Sequence, residues 1–219
     1  MAAKRTTPVY LERGSRRTFA CAVEWPGWCR VARGDDAALQ ALADYAPRYA
    51  PVVQRAGLVL APLTVADLDV VETVAGTATT DFGAPDVASQ ADMRPLDARS
   101  STRIVALLDA AWDELDDVAA HSPAALRKGP RGGGRDRDAM VAHVVNAERS
   151  YARKLGVYLT AAEWRDGGVV VMRERVRTAL GRPSKGGPPV GRGWPPRYVA
   201  RRMAWHVLDH AWEMEDRRS

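Results

Sequence analysis

Arg197-Tyr-Val-Ala-Arg-Arg-Met-Ala-Trp-His-Val-Leu-Asp-His-Ala-Trp-Glu-Met-Glu-Asp-Arg217 reads as one long amphipathic helix, and it decides how the C-terminal half is built. Val199, Met203, His206, His210 and Met214 recur at the three- and four-residue steps of a single helical face. His206 and His210 thus occupy positions where a packed helix ordinarily carries Leu or Val, and their i,i+4 spacing sets the two imidazoles side by side. Pro195-Pro196 suits the start of such a helix.

Working back along the chain, a third histidine holds the same kind of place. It is His143 in Met140-Val-Ala-His-Val-Val-Asn-Ala-Glu-Arg-Ser-Tyr151. Apolar periodicity predicts helices over 102–120, 136–157, 169–180 and 195–217. Four helices, each with one apolar face, are most simply satisfied as a four-helix bundle. Ahead of them the pattern differs. Segments 8–13 and 17–23 read as strands around a Gly14-Ser15 turn, and Trp25-Pro-Gly-Trp28 turns the chain into a third strand over 29–33. A helix over 37–45 follows, interrupted by Pro47 and Pro51, and 58–62 reads as a fourth strand. Helical spacing covers 64–74, and 75–95 has the composition of a loop. The expected class is α+β. A small β-β-β-α(-β) module spans 1–62, a linker with a short helix 63–97, and the bundle 98–219.

Charge follows the same division. Residues 1–97 carry 10 Lys/Arg against 12 Asp/Glu, and residues 98–219 carry 22 against 15. The basic half alone would have to carry any binding of nucleic acid, and no other feature supports that partner. No apolar run reaches the roughly 20 residues of a membrane span, and there is no signal-peptide core, so the expected compartment is the cytoplasm. In that setting Cys21 and Cys29 are expected to be structural or incidental, not disulfide-bonded, and their spacing is poor for a metal site.

The chemistry-bearing residues gather on the two histidine helices. His143, His206 and His210 can face one ion, and three nitrogens with the remaining positions open to water is a catalytic pattern, not a structural one. Imidazole suits zinc, nickel, iron and copper alike, and the expected cofactor is a divalent ion: zinc, nickel or iron. The competing reading is a set of core or groove histidines satisfied by hydrogen bonds. Glu213, three residues beyond His210, is the candidate catalytic carboxylate, as a fourth ligand, an outer hydrogen-bond partner or a general base. Asp209 and Glu148 are weaker candidates, and a solvated charged face is the competing reading for all three. The basic glycine-rich loops at 127–137 and 181–194 each precede a histidine helix. Arg131 and Arg135 in the first are candidates for binding an anionic substrate, and Trp205 for walling its pocket.

Residues 98–219 resemble the DinB/YfiT-like superfamily of four-helix-bundle metalloenzymes. The resemblance is carried by His143 in Met140-Val-Ala-His-Val-Val-Asn-Ala-Glu148 and by His206-x-x-x-His210. It implies that these three residues bind a divalent metal. Some members are S-transferases or isomerases that use mycothiol or bacillithiol, so the resemblance also implies a low-molecular-weight thiol as a cofactor. The first 60 or so residues are similar to the HicB-like antitoxin domain. The likeness rests on two strands, on Trp25-Pro-Gly27 in place of Leu-Pro-Gly, and on Gly34-Asp-Asp-Ala-Ala-Leu-Gln-Ala-Leu42. That likeness implies a module that binds a protein partner or self-associates and has no catalysis of its own. Two functions are therefore expected: a metal-dependent hydrolase or thiol-dependent transferase or isomerase acting on a small anionic molecule, or a non-enzymatic interaction protein with a degenerate bundle.

Overall fold

The computed structural model describes residues 6–129 and 132–218. The fold is mixed α/β, with a small four-stranded sheet in the N-terminal part and a mostly helical C-terminal half. Strands β1 (Thr7–Arg13), β2 (Thr18–Ala22) and β3 (Cys29–Ala32) form an antiparallel meander in the expected places. The first turn is closed by Gly14 N–H donating to Arg17 O at 2.8 Å. The Asp81 carboxylate reinforces it by accepting from the backbone N–H groups of Ser15, Arg16 and Arg17.

The fourth strand lies elsewhere than expected. Residues 58–62 carry no strand and 64–74 no α-helix. After a single 3-10 turn, β4 (Leu68–Ala75) runs parallel to β1 and completes the order β3-β2-β1-β4. Val70, Val71, Thr73 and Val74 are β-branched and lose side-chain freedom in a helix, whereas the open edge of β1 offers them a ladder. The loop-like stretch that follows carries α3 (Ala78–Phe82) and is pinned by Glu12. That fully buried carboxylate accepts from Thr80 Oγ1 and from the N–H groups of Asp86 and Val87, at 2.9 and 3.0 Å for the latter two. Burial raises the Glu12 pKa, and these hydrogen bonds oppose the rise.

The cysteines also depart from expectation. The β2–β3 register sets Cys21 directly opposite Cys29 with a Cα–Cα distance of 4.2 Å, and the two are joined as a disulfide. Directly opposed antiparallel residues come this close when they are not a hydrogen-bonded pair. The pairing is a product of the Trp25–Trp28 turn, which spacing alone does not reveal.

Helices α1 (Asp35–Asp44) and α2 (Ala46–Arg55) part at Tyr45, leaving Pro47 in the first turn of α2 where its missing N–H costs nothing. Then come α4 (Ala98–Ala120), α5 (Arg137–Lys154), α6 (Ala161–Arg165), α7 (Gly168–Leu180) and α8 (Pro196–Asp216), for eight α-helices among the described residues. The four long segments fall within a few residues of expectation. Short α6, closed by a Thr160–Glu163 capping box, was not foreseen. No helix among the described residues is long and apolar enough to cross a membrane.

α8 packs along α4 and α5, and α7 touches both of those. The sheet reaches the same helix through the Trp25–Trp28 turn. Trp28 Nε1 donates to Leu42 O at 2.9 Å, and its ring stacks 5.7 Å from that of Tyr49, whose hydroxyl donates to Pro26 O at 2.7 Å. Gly27, at φ +94°, presses this turn against Ala204 and Leu208; a Cβ there would lie 2.7 Å from Leu208 Cδ1. A continuous buried cluster runs from Val9 and Trp28 through Leu107 and Met140 to Met214.

Candidate metal centre

Two helices bring the three histidines together. α5 enters at Asp136, whose carboxylate accepts from Leu126 N–H at 3.1 Å and pairs with Lys128. α8 starts at Pro195-Pro196, and fifteen of its 21 residues are buried, which fixes its rotation. The ligand-capable nitrogens of His143, His206 and His210 all lie within 4.8 Å of one another. Their ring centroids are 4.6 to 5.1 Å apart. A tetrahedral zinc bonded at about 2.05 Å holds its nitrogens about 3.3 Å apart, so the rings need close by at most about 1.5 Å.

The donor chemistry fits a cation. Burial, reinforced by the charges of His210 and Arg202, pushes the His206 pKa down to about 2. Burial lowers His143 as well, with Arg135 the next cause. Neutral imidazole is the form that binds a metal. His210 Nδ1 lies 3.0 Å from Glu213 Oε2, and Glu213 Oε1 in turn accepts from Arg217 Nη1 at 2.8 Å. This contact commits Nδ1–H to the carboxylate and leaves Nε2 of His210 free to act as a donor atom, a common way to orient a ligating histidine. The hydrogen bond from His210 is the main cause that lowers the Glu213 pKa. The reading of these residues as hydrogen-bonded core histidines meets an obstacle at His206, whose Nδ1 is buried without a partner. Among the described residues no carboxylate joins the three nitrogens, which leaves coordination positions for other molecules.

The remaining candidates are placed as follows. Glu213 stands behind His210 as its outer hydrogen-bond partner and is not one of the converging ligand groups. Trp205 lies between the sheet and the histidine face of α8. It is 5% exposed, sits edge-on to Phe19 at 5.9 Å and joins Tyr10, Cys21 and Cys29 in holding α8 to the sheet. Its bulk serves packing because the sheet covers that side of the helix. Arg135 is exposed, makes no ion pair among the described residues, and lies near enough to depress both His143 and His206. Arg131 lies outside the described residues. Glu148 is buried in a structural pair, accepting from Trp112 Nε1 and from Arg173 Nη2 at 3.2 Å. Asp209 pairs with Arg30 at 3.3 Å. The loop at 181–194 delivers Trp194, whose ring lies 5.5 Å from Tyr151 and 4.9 Å from Tyr198.

Sequence reasoning missed Tyr151, Tyr198 and Arg202. The signal was present: Tyr198, Arg202, His206 and His210 follow one another at four-residue steps along α8, and Tyr151 stands two turns beyond His143 on α5. Tyr151 meets His206 edge-on at 5.8 Å.

No protein-family model, no curated protein and no solved structure matches this chain.

Proposed function

We propose that this chain is a divalent-metal-binding protein of DinB-like, four-helix-bundle architecture that acts as an enzyme on a small anionic molecule. One observation carries the reading: three imidazoles from α5 and α8 converge, with burial holding His206 neutral and no fourth protein ligand among the described residues. The mutual packing of α4, α5, α7 and α8 supports the bundle. When bound, a zinc, nickel or iron ion would supply Lewis acidity toward a water, a substrate oxygen or a thiolate, which suits hydrolysis or thiol-dependent transfer or isomerisation. His143, His206 and His210 would hold it, Glu213 would orient His210, and Arg135 would add positive charge near the entrance. Protein purified without a histidine tag and reloaded with zinc, nickel or iron is expected to retain one ion per chain. Less than ~0.2 ion per chain would refute the site, since a preformed triad binds well.

A second reading, an interaction protein acting through its N-terminal part, has one observation in its favour. β4 is an edge strand with Val70 and Val71 exposed, a ready template for pairing with another chain. Under that reading Val70→Lys with Val71→Lys abolishes association with a protein partner or a second copy and leaves metal content unchanged. Association that survives both changes removes it.

A further inference from the structure

Two of the four residues in the α8 stripe are accounted for as ligands; the other two are buried polar groups with nothing to bind. Arg202 is 7% exposed, and its Nε and Nη1 are enclosed without a hydrogen-bond partner. The Tyr198 hydroxyl is in the same condition one turn earlier. The other buried arginines among the described residues are treated differently. Arg201 is paired with Asp92 and donates to Ala22 O at 3.0 Å, and Arg173 is paired with Glu148 and Asp116. Among the described residues, only Arg202 is a buried arginine with no ion pair to a carboxylate.

The aromatic rings around it hold the guanidinium without satisfying it. Its Cζ lies 4.7 Å from the Trp205 ring and 5.4 Å from the Tyr151 ring. Such stacking stabilises the cation through the ring faces and leaves its in-plane N–H donors free. Nη2 is the one guanidinium nitrogen that is neither enclosed nor hydrogen-bonded. Tyr151, whose hydroxyl also makes no hydrogen bond among the described residues, spans the interval between Arg202 and His206. A buried guanidinium whose Nη2 is left unpaired beside the Tyr151 ring is an arrangement that can take an oxyanion.

We infer that Arg202, with Tyr151 beside it, anchors the carboxylate of a small monocarboxylic acid between α5 and α8. At the Tyr151 end of the site Arg202 supplies one cation without an ion pair, which suits a carboxylate. Burial is the main cause that raises Tyr151 and Tyr198, Arg202 opposes it, and the Asp86 carboxylate adds to it at both hydroxyls. Four residues of helix separate Arg202 from His206, a rise of about 6 Å, so a carboxylate on Arg202 leaves the third or fourth atom of the acid facing the histidines. That direction rests on the metal reading; the anchor does not.

The test uses propionate and inorganic phosphate as probes. Each is titrated into metal-free and zinc-loaded full-length protein and followed by thermal shift and tryptophan fluorescence, with zinc content measured in parallel. Wild type is expected to bind propionate saturably in the millimolar range, and phosphate about tenfold more weakly or not at all. Arg202→Met is expected to lower propionate affinity about tenfold or more, the loss typical of a charge-assisted pair, with zinc content unchanged. Should that variant fail to fold, Arg202→Lys, which keeps the charge and loses the fork, is expected to weaken propionate at least about threefold. His143→Ala is expected to lose zinc and keep propionate. No saturable propionate binding by wild type, equal binding by the Arg202 variants, or tighter binding of phosphate would overturn the anchor. Propionate binding without zinc uptake would instead remove the metal reading and leave the anchor standing.

Discussion

Replacing Glu213 separates an orienting carboxylate from a bystander on the helix surface. Its two oxygens face two different groups, His210 Nδ1 at 3.0 Å and Arg217 Nη1 at 2.8 Å, so the side chain is held at both ends. Losing such an outer partner costs a metal ligand 10- to 100-fold in affinity, about 1.4 to 2.7 kcal/mol. Glu213→Gln keeps an oxygen that can accept from His210 but removes the charge, which places it near the tenfold end. Glu213→Ala frees the imidazole to rotate and moves toward the hundredfold end. Neither change should cost the metal-free protein more than about 1 kcal/mol, because the side chain is 37% exposed and its ion pair is screened. Lost affinity therefore cannot be traced to unfolding. The assay is competition for zinc against a chromophoric chelator, with circular dichroism on the same samples. Affinities within twofold of wild type for both variants would refute the orienting role.

Three further outcomes follow from the same geometry. His206 is pushed down to about 2 in the folded chain against about 6.5 unfolded, so between these values the unfolded chain carries a proton that the folded one refuses. Its contribution to metal-free stability is full above pH ~6.5 and falls by about 1.4 kcal/mol per unit below it. Urea unfolding at pH 7.5 and 5.5 should show that excess in wild type over His206→Gln, and equal pH responses would contradict the burial. Gly27→Ala combines a positive φ with a contact on Leu208 and is expected to cost about 2 to 4 kcal/mol by chemical denaturation, a loss below about 1 being incompatible with the docked turn. Glu148→Ala strands Trp112 Nε1 and leaves Arg173 only the exposed Asp116; a cost of about 3 to 5 kcal/mol is expected in the same assay, and near-neutral behaviour would show that the pair is not buried as described.

What the sequence disclosed tracks the physics of each element. The long helices were legible because an apolar stripe every 3.6 residues persists over several turns, and α4, α5, α7 and α8 each have one. The histidine cluster was legible because His143, His206 and His210 break those stripes with a residue that burial penalises. β4 was not, because Leu68, Val71 and Val74 also fit helical spacing; only the vacant edge of β1, a non-local fact, decides for a strand. Arg202 was hidden by its neighbours. In Arg201-Arg202 nothing local says that one finds Asp92 across the core while the other finds none. The packing of Trp205 was hidden for the same reason, since its partner Phe19 is 186 positions earlier.

The burial of α8 has a consequence for how the chain comes to be folded at all. α8 is synthesised after every element whose apolar face it covers. At the usual ~5–20 residues per second, roughly 10 to 40 seconds of translation pass before Pro196 is added. Through that interval Leu107 on α4, Met140 on α5 and the Trp25–Trp28 turn wait without the surface that closes over them. The shared core is therefore completed only once α8 has been added. A chain stalled shortly before Pro196 would hold α4 and α5 without the helix that packs along both.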